Sequence, residues 1–272
     1  MPITWDDIEP MLRTLPAAPS EWHVAWNDLM QQNEWLQQKL DLKRRAHELV
    51  EYARRWLPEL AKRPPGVVID VGPGMCEILR IGRLFGHRVL GIDAPSGEGG
   101  MGHDYLKATR LMAERCGVPV LNCGLEKFVE LAIKVGSVDP LGRPSSPSID
   151  PKDEPLAILA AQALHRTIVI NMRGSIEQCF ARLMEGPPHH ETMRADQLRW
   201  ADPDGMYEVF ARMFVVYSRL LRPDGVVCIH ANGSADKESH NLYLDTLFKT
   251  AKEAGLELVD SDGDRLHKFA VA

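Results

Sequence analysis

Four of the five residues in Val67-Val68-Ile69-Asp70-Val71 are β-branched, and the exception is a carboxylate. A run without polar alternation suits a parallel strand buried on both faces, and Pro64-Pro65-Gly66 stops any helix before it. Gly72-Pro73-Gly74 then turns the chain sharply, and a helical pattern begins at Cys76. From there strand-like and helix-like segments alternate, the pattern of βαβ units around a parallel sheet. Strands are expected over Val67–Val71, Arg88–Asp93, Val118–Asn122, Thr167–Met172, Val226–Ala231, Leu256–Asp260 and Leu266–Val271. Helices are expected over Cys76–Phe85, Tyr105–Cys116, Glu126–Lys134, Leu156–Leu164, Tyr207–Leu221 and Ser239–Ala254.

The chain before Lys62 reads differently. It holds Trp5, Trp22, Trp26, Trp35 and Trp56 out of 6 tryptophans in all, and no strand-like run. Trp22, Trp26 and Met30 share one helical stripe, and Leu49, Ala53, Trp56, Leu57 and Leu60 another, so helices are expected from about Ser20, a fitting N-cap, to Leu60. The division is a helical cap segment over 1–63 and an α/β domain over 64–272. Insertions interrupt the rhythm near 137–165, which opens with a loop rich in proline and serine, and near 186–205, with Pro187-Pro188-His189-His190 and Trp200. Extra chain of this kind commonly serves a site.

With 272 residues and a net charge of -6, the chain has no overall positive field to attract nucleic acid. Its 5 cysteines lack metal or redox spacing and read as reduced, mostly buried thiols. The N-terminus carries acids where a signal peptide is basic, and no apolar run spans a bilayer, so the expected location is cytoplasmic, away from membranes.

The chemistry is concentrated around the first turn. Glycines there let the backbone approach a ligand at a helix N-terminus. Asp93, closing the second strand, can accept both hydroxyls of a ribose, a contact that nicotinamide and methyl-donor cofactors share. A dinucleotide fingerprint needs Gly or Ala at the sixth place, where Glu77 stands and is expected to aim its carboxylate at the phosphates. Asp70, two residues before Gly72, suits an ammonium group and repels a pyrophosphate. S-adenosylmethionine carries such an ammonium together with a sulfonium. The alternatives are a tight turn without ligand for the glycines and helix capping for the two acids.

At these residues the sequence resembles the class I (Rossmann-like) S-adenosylmethionine-dependent methyltransferases, over roughly Gly66 to Ala272. Asp70-Val71-Gly72-Pro73-Gly74 matches the family's acid-x-Gly-x-Gly motif, with Cys76 at the often-glycine third position, and Asp93 matches its ribose-binding acid. Asn122-Cys123-Gly124-Leu125-Glu126 is similar to the adenine-binding segment, and Ile176-Glu177-Gln178 to the Leu-Glu-His after the fourth strand. Leu220-Leu221-Arg222-Pro223-Asp224-Gly225 is similar to the turn into the fifth strand, and the two terminal runs to the family's final antiparallel pair. The resemblance implies a doubly wound, mostly parallel seven-stranded sheet with the last strand antiparallel. It also implies S-adenosylmethionine as cofactor, held by Asp70, Gly72, Pro73, Gly74, Asp93, Ala94, Gly124, Leu125 and Asn171.

Methyl transfer is an in-line displacement, so the protein supplies alignment and sometimes a base. Residues facing the acceptor belong at the ends of strands four and five or in the insertions. His230, His189 and His190 are the candidate catalytic residues, and Arg173 and Trp26 the candidate substrate contacts. A hydrogen-bonded core histidine, exposed loop histidines, a surface ion pair and a core tryptophan are the respective alternatives. The adjacent histidines lack the spacing of a metal site, and none is expected. The Ser96–His103 loop is either a lid or a plain connection. A small-molecule acceptor at oxygen or nitrogen is favoured because Asn171-Met172-Arg173-Gly174 lacks the Pro-Pro-aromatic segment of base-amino methyltransferases. The competing readings are a noncatalytic cofactor- or partner-binding relative and a nicotinamide-dependent oxidoreductase. A homo-oligomer stays open, and truncation before Lys62 is expected to spare cofactor affinity and abolish turnover.

Overall fold

The structure is a computed structural model that describes residues 3–17, 20–31, 37, 42–93, 103–123, 125–136, 151–173, 184–185, 199–200, 203–230, 237–263 and 265–272. Its strands are β1 (Val67–Val71), β2 (Arg88–Asp93), β3 (Val120–Asn122), β4 (Thr167–Arg173), β5 (Leu221–His230), β6 (Leu256–Ser261) and β7 (Leu266–Val271). They form one seven-stranded sheet in the order β3-β2-β1-β4-β5-β7-β6. Pairing is parallel from β3 across to β5, whereas β7 runs antiparallel to both of its neighbours. Only the last strand is reversed, as expected.

The helices are α1 (Trp5–Arg13), α2 (Ser20–Gln31), α3 (Leu42–Trp56), α4 (Glu59–Lys62), α5 (Glu77–Leu84), α6 (His103–Cys116), α7 (Leu125–Gly136), α8 (Glu154–Ala163), α9 (Pro203–Leu220) and α10 (Lys237–Glu253). All five residues of β1 are buried, because helices cover both faces of the sheet. Strand alternation sends Val67, Ile69 and Val71 into a core with Phe128, Phe210, Phe214 and Leu247 from α7, α9 and α10. Val68, Val169 and Val226 point into a second core, closed by Ile8 and Leu12 of α1, Val50, Ala53 and Trp56 of α3, and Leu57 and Leu60. The N-terminal helices are therefore one layer of the sandwich.

Polar fasteners hold that layer in place. Arg80 of α5, itself buried, donates from Nη2 to the carbonyls of Met11, Leu12 and Thr14 at 3.3, 3.1 and 3.1 Å, satisfying the open end of α1. Lys268 of β7 pairs with Glu59 of α4 at 2.8 Å, and Arg55 of α3 grips Asp260 of β6 at 2.6 and 3.2 Å. Buried His87 accepts from the Gly66 N–H at 3.2 Å, so its other ring nitrogen donates to the Leu60 carbonyl at 2.7 Å and the ring is neutral. Burial pushes the His87 pKa below its ordinary value.

Several boundaries differ from expectation. Helix α1 lies before the expected helical stretch: Pro10 inside it masks the pattern, while Asp7 closes its start by accepting from the Thr4 N–H and hydroxyl at 2.8 and 2.7 Å. The long N-terminal helix is divided, with Pro58 between α3 and α4. Strand β3 begins at Val120 and not Val118. Strand β5 starts at Leu221, five residues before Val226, because Leu221 pairs with Thr167 and the chain bulges before Val226 meets Val169. Gly225 permits that bulge, since a Cβ there would lie 2.7 Å from the Thr167 carbonyl oxygen. Helix α9 takes in Pro203 to Gly205, which the sequence assigned to an insertion, and a short antiparallel pair joins Met184–Glu185 to Arg199–Trp200.

Removing residues 1–62 would expose Val68, Ile168, Val169 and Val226, each worth roughly 2 kcal/mol when buried. The sum rivals the stability of a whole domain. Contrary to the sequence-based expectation, the truncated chain should be insoluble or unfolded, which circular dichroism of the purified fragment checks. Acid sensitivity is the second prediction. As pH falls through the ordinary histidine range the unfolded chain protonates His87 before the folded one does, so stability is lost there. His87→Gln should flatten the pH dependence of the urea midpoint, by up to about 1.4 kcal/mol per pH unit.

Candidate functional site

Strand order locates the site. The chain leaves β1 through β2 and β3 on one side and returns to β4 on the other, and open α/β sheets bind ligands in the crevice this reversal creates. Asp70 of β1, in register with Gly91 of β2 and Asn171 of β4, stands there. The turn after it takes left-handed backbone three times, at Gly72 (φ 66°), Gly74 (φ 55°) and Cys76 (φ 60°). The Gly72 N–H donates to the Ile92 carbonyl at 2.8 Å, and the Cys76 N–H to that of Pro73 at 2.8 Å. A Cβ on Gly91 would lie 2.8 Å from Val120, 3.0 Å from Leu79 and 3.1 Å from Pro73, so glycine is what lets the turn lie against β2. Cys76 holds the third left-handed place with a fully buried thiol, which burial pushes well above its ordinary pKa. It is a packing residue and not a nucleophile.

Asp70 is 3% exposed, a carboxylate almost wholly out of water. Its Oδ1 accepts from Asn171 Nδ2 at 2.6 Å. Asn171 Oδ1 in turn accepts from the Tyr52 hydroxyl at 2.8 Å, and that hydroxyl lies 3.5 Å from Cys228 Sγ. Burial raises the Cys228 pKa to about 11, so this thiol stays protonated. The donors run Cys228 to Tyr52 to Asn171 to Asp70, across three strands and helix α3.

Asp93 ends β2, half-buried, level with Asn122 of β3. Leu125 starts α7 and is buried in the core. His230 ends β5, half-buried, between Arg173 of β4 and Leu266 of β7 in the register. Trp26 of α2 packs against the cluster that holds Met75, Cys76 and Leu79, so it stands beside the glycine turn. Ala94, Gly124, His189, His190 and the Ile176-Glu177-Gln178 segment lie outside the described residues. Glu77 departs from expectation: its carboxylate is buried against Arg45 of α3 in an ion pair at 3.0 Å, with an angle short of a hydrogen bond. It is not an open negative charge at the turn. Tyr52 is the site residue that sequence reasoning missed, because nothing local ties it to a strand 119 positions away.

A cavity of about 510 Å³ opens at the opposite edge, where β1 and β2 begin, lined by Val67, Arg83, His87, Arg88 and Leu159 among others. Two of its polar groups are committed: Arg83 to the Cys116 and Gly117 carbonyls, and His87 as above. Among the described residues no cluster of metal-ligating side chains occurs and no helix is long and apolar enough to cross a membrane.

The left-handed turn yields a prediction. Cys76→Val puts a β-branched side chain at φ 60° in a fully buried site and should destabilise by about 2 kcal/mol, measured by urea unfolding.

No protein-family model and no curated protein matches the sequence. Similar solved structures are found at low identity. The PH0226 protein from Pyrococcus horikoshii is 12% identical with a TM-score of 0.44, covering 85% of this chain and 92% of that one. The 1,6-didemethyltoxoflavin-N1-methyltransferase of Burkholderia thailandensis, with bound 1,6-didemethyltoxoflavin and S-adenosylhomocysteine, is 14% identical with a TM-score of 0.40, covering 95% and 92%. A TehB-like methyltransferase from Corynebacterium glutamicum is 15% identical with a TM-score of 0.38, covering 82% and 97%. Likeness at this distance is likeness of fold alone. Strand order, the single reversed strand and the acid-led glycine turn together make this the class I S-adenosylmethionine-dependent methyltransferase fold.

Proposed function

We propose that the protein is an S-adenosylmethionine-dependent methyltransferase acting on a small-molecule acceptor, at oxygen or nitrogen. The observation that carries this reading is the left-handed turn at Gly72, Gly74 and Cys76, flanked by carboxylates at the ends of two neighbouring strands, Asp70 and Asp93. An adenosine ligand with a charged amino acid at one end fits that set. Asp93 would accept from the ribose hydroxyls, Asp70 would face the ammonium directly or through water, and the glycine turn would admit the chain between them. When bound, the cofactor supplies a methyl group already activated by sulfonium.

The remaining work falls to this chain's residues. Leu125 and the segment around Gly124 would flank the adenine, with Ala94 after Asp93 at the ribose. His230, at the end of β5, would take the proton from an acceptor hydroxyl or hold the acceptor in line. Arg173, beside it in the register, would hold an anionic or polar part of the acceptor, and His189 and His190 would approach from the insertion. A cytoplasmic location and the division at residue 63 belong to the same proposal.

Calorimetry with S-adenosylhomocysteine tests it. Wild type should bind saturably, and Asp93→Ala should lose at least about tenfold in affinity, the worth of a charged hydrogen-bond pair. Absence of binding, together with a rise in melting temperature on adding NADH, would move the assignment to an oxidoreductase.

A further inference from the structure

Helix α3 carries a middle member of the donor chain that ends on Asp70. Tyr52 is part-buried, between Cys228 of β5 and Asn171 of β4, with its hydroxyl 2.8 Å from the Asn171 carbonyl oxygen. That bond settles the amide: oxygen toward Tyr52, nitrogen toward Asp70 at 2.6 Å. Asp70, Asn171 and Cys228 occupy equivalent places on adjacent strands, so the three side chains form one polar row across the sheet under α3. The row is otherwise bordered by valine and isoleucine, where a polar group without a partner is expensive.

We infer that Tyr52 is a positioning residue for the cofactor's amino-acid end, acting through Asn171 to hold the Asp70 carboxylate in the rotamer that receives an ammonium. This rests on the proposed function and adds to it a residue from outside the sheet. The protonated Cys228 thiol can donate to Tyr52, Tyr52 donates to Asn171, and Asn171 donates to one carboxylate oxygen, which fixes the orientation of Asp70. Since α3 is seated by Arg55 on Asp260 and by Trp56 in the core, the hydroxyl is held by a rigid element. Asn171 then acts on the ligand through Asp70.

Two ligands separate positioning from general structure. S-adenosylhomocysteine has the amino-acid end, whereas 5′-methylthioadenosine keeps the adenosine and thioether without it. For Tyr52→Phe, which keeps the ring in place, affinity for S-adenosylhomocysteine should fall about fivefold and affinity for 5′-methylthioadenosine should not change. Asn171→Ser should give a larger loss with the same selectivity, and supplies the readout where Tyr52→Phe folds poorly. Equal losses for both ligands, or no loss for either, would overturn the inference. Failure of wild type to bind S-adenosylhomocysteine would instead overturn the proposed function beneath it.

Discussion

A carboxylate buried in the middle of a parallel sheet has to be compensated, and Asp70 sets much of this protein's arrangement. An ionised group taken from water into apolar surroundings costs many kcal/mol unless it is hydrogen-bonded or paired. Here the compensation comes from Asn171 on the next strand and, behind it, from Tyr52 on an N-terminal helix. The strand before the turn can thus carry a carboxyl group at a place where its neighbours are valine and isoleucine. A core that merely needed filling would have been served better by an aliphatic residue.

The same requirement explains why the N-terminal helices are built into the sheet. They close the apolar face around Val68 and Val169, deliver a hydroxyl to the polar row, and bring Arg45 to the Glu77 carboxylate in the first turn of α5. Arg80 returns the contact by capping the end of α1. The turn at Gly72 to Cys76 is therefore braced from β2 through Gly91, and the helix that follows it from α3 through Arg45. A rigid turn suits the cofactor proposed above, whose recognition would depend on a few backbone and carboxylate contacts held at fixed positions.

Much of this was legible in the sequence where the signal is local. The β-branched run, the glycines and the acid two residues ahead of them specified strand and turn together, and the ordered later motifs specified the reversed last strand. What escaped was either nonlocal or contradicted by its own residues. Helix α1 contains Pro10, which hides a capping box at Thr4 and Asp7. The early start of β5 depends on a bulge beside Thr167 that no periodicity announces. Glu77 was read by its place in the turn, but Arg45, whose identity as a partner is set only by folding, holds its carboxylate. Tyr52 is one more helical residue until the sheet is assembled under it.

The central claim is that the turn between β1 and α5, with Asp70 and Asp93, is the seat of an adenosine cofactor. Hydrogen exchange followed by mass spectrometry, with and without saturating S-adenosylhomocysteine, tests it most directly. The account predicts slowed exchange concentrated in the peptides spanning Val71 to Leu79 and in those around Asp93. Slowed exchange confined to the opposite edge, around Arg83 and Arg88, or none anywhere, would contradict it.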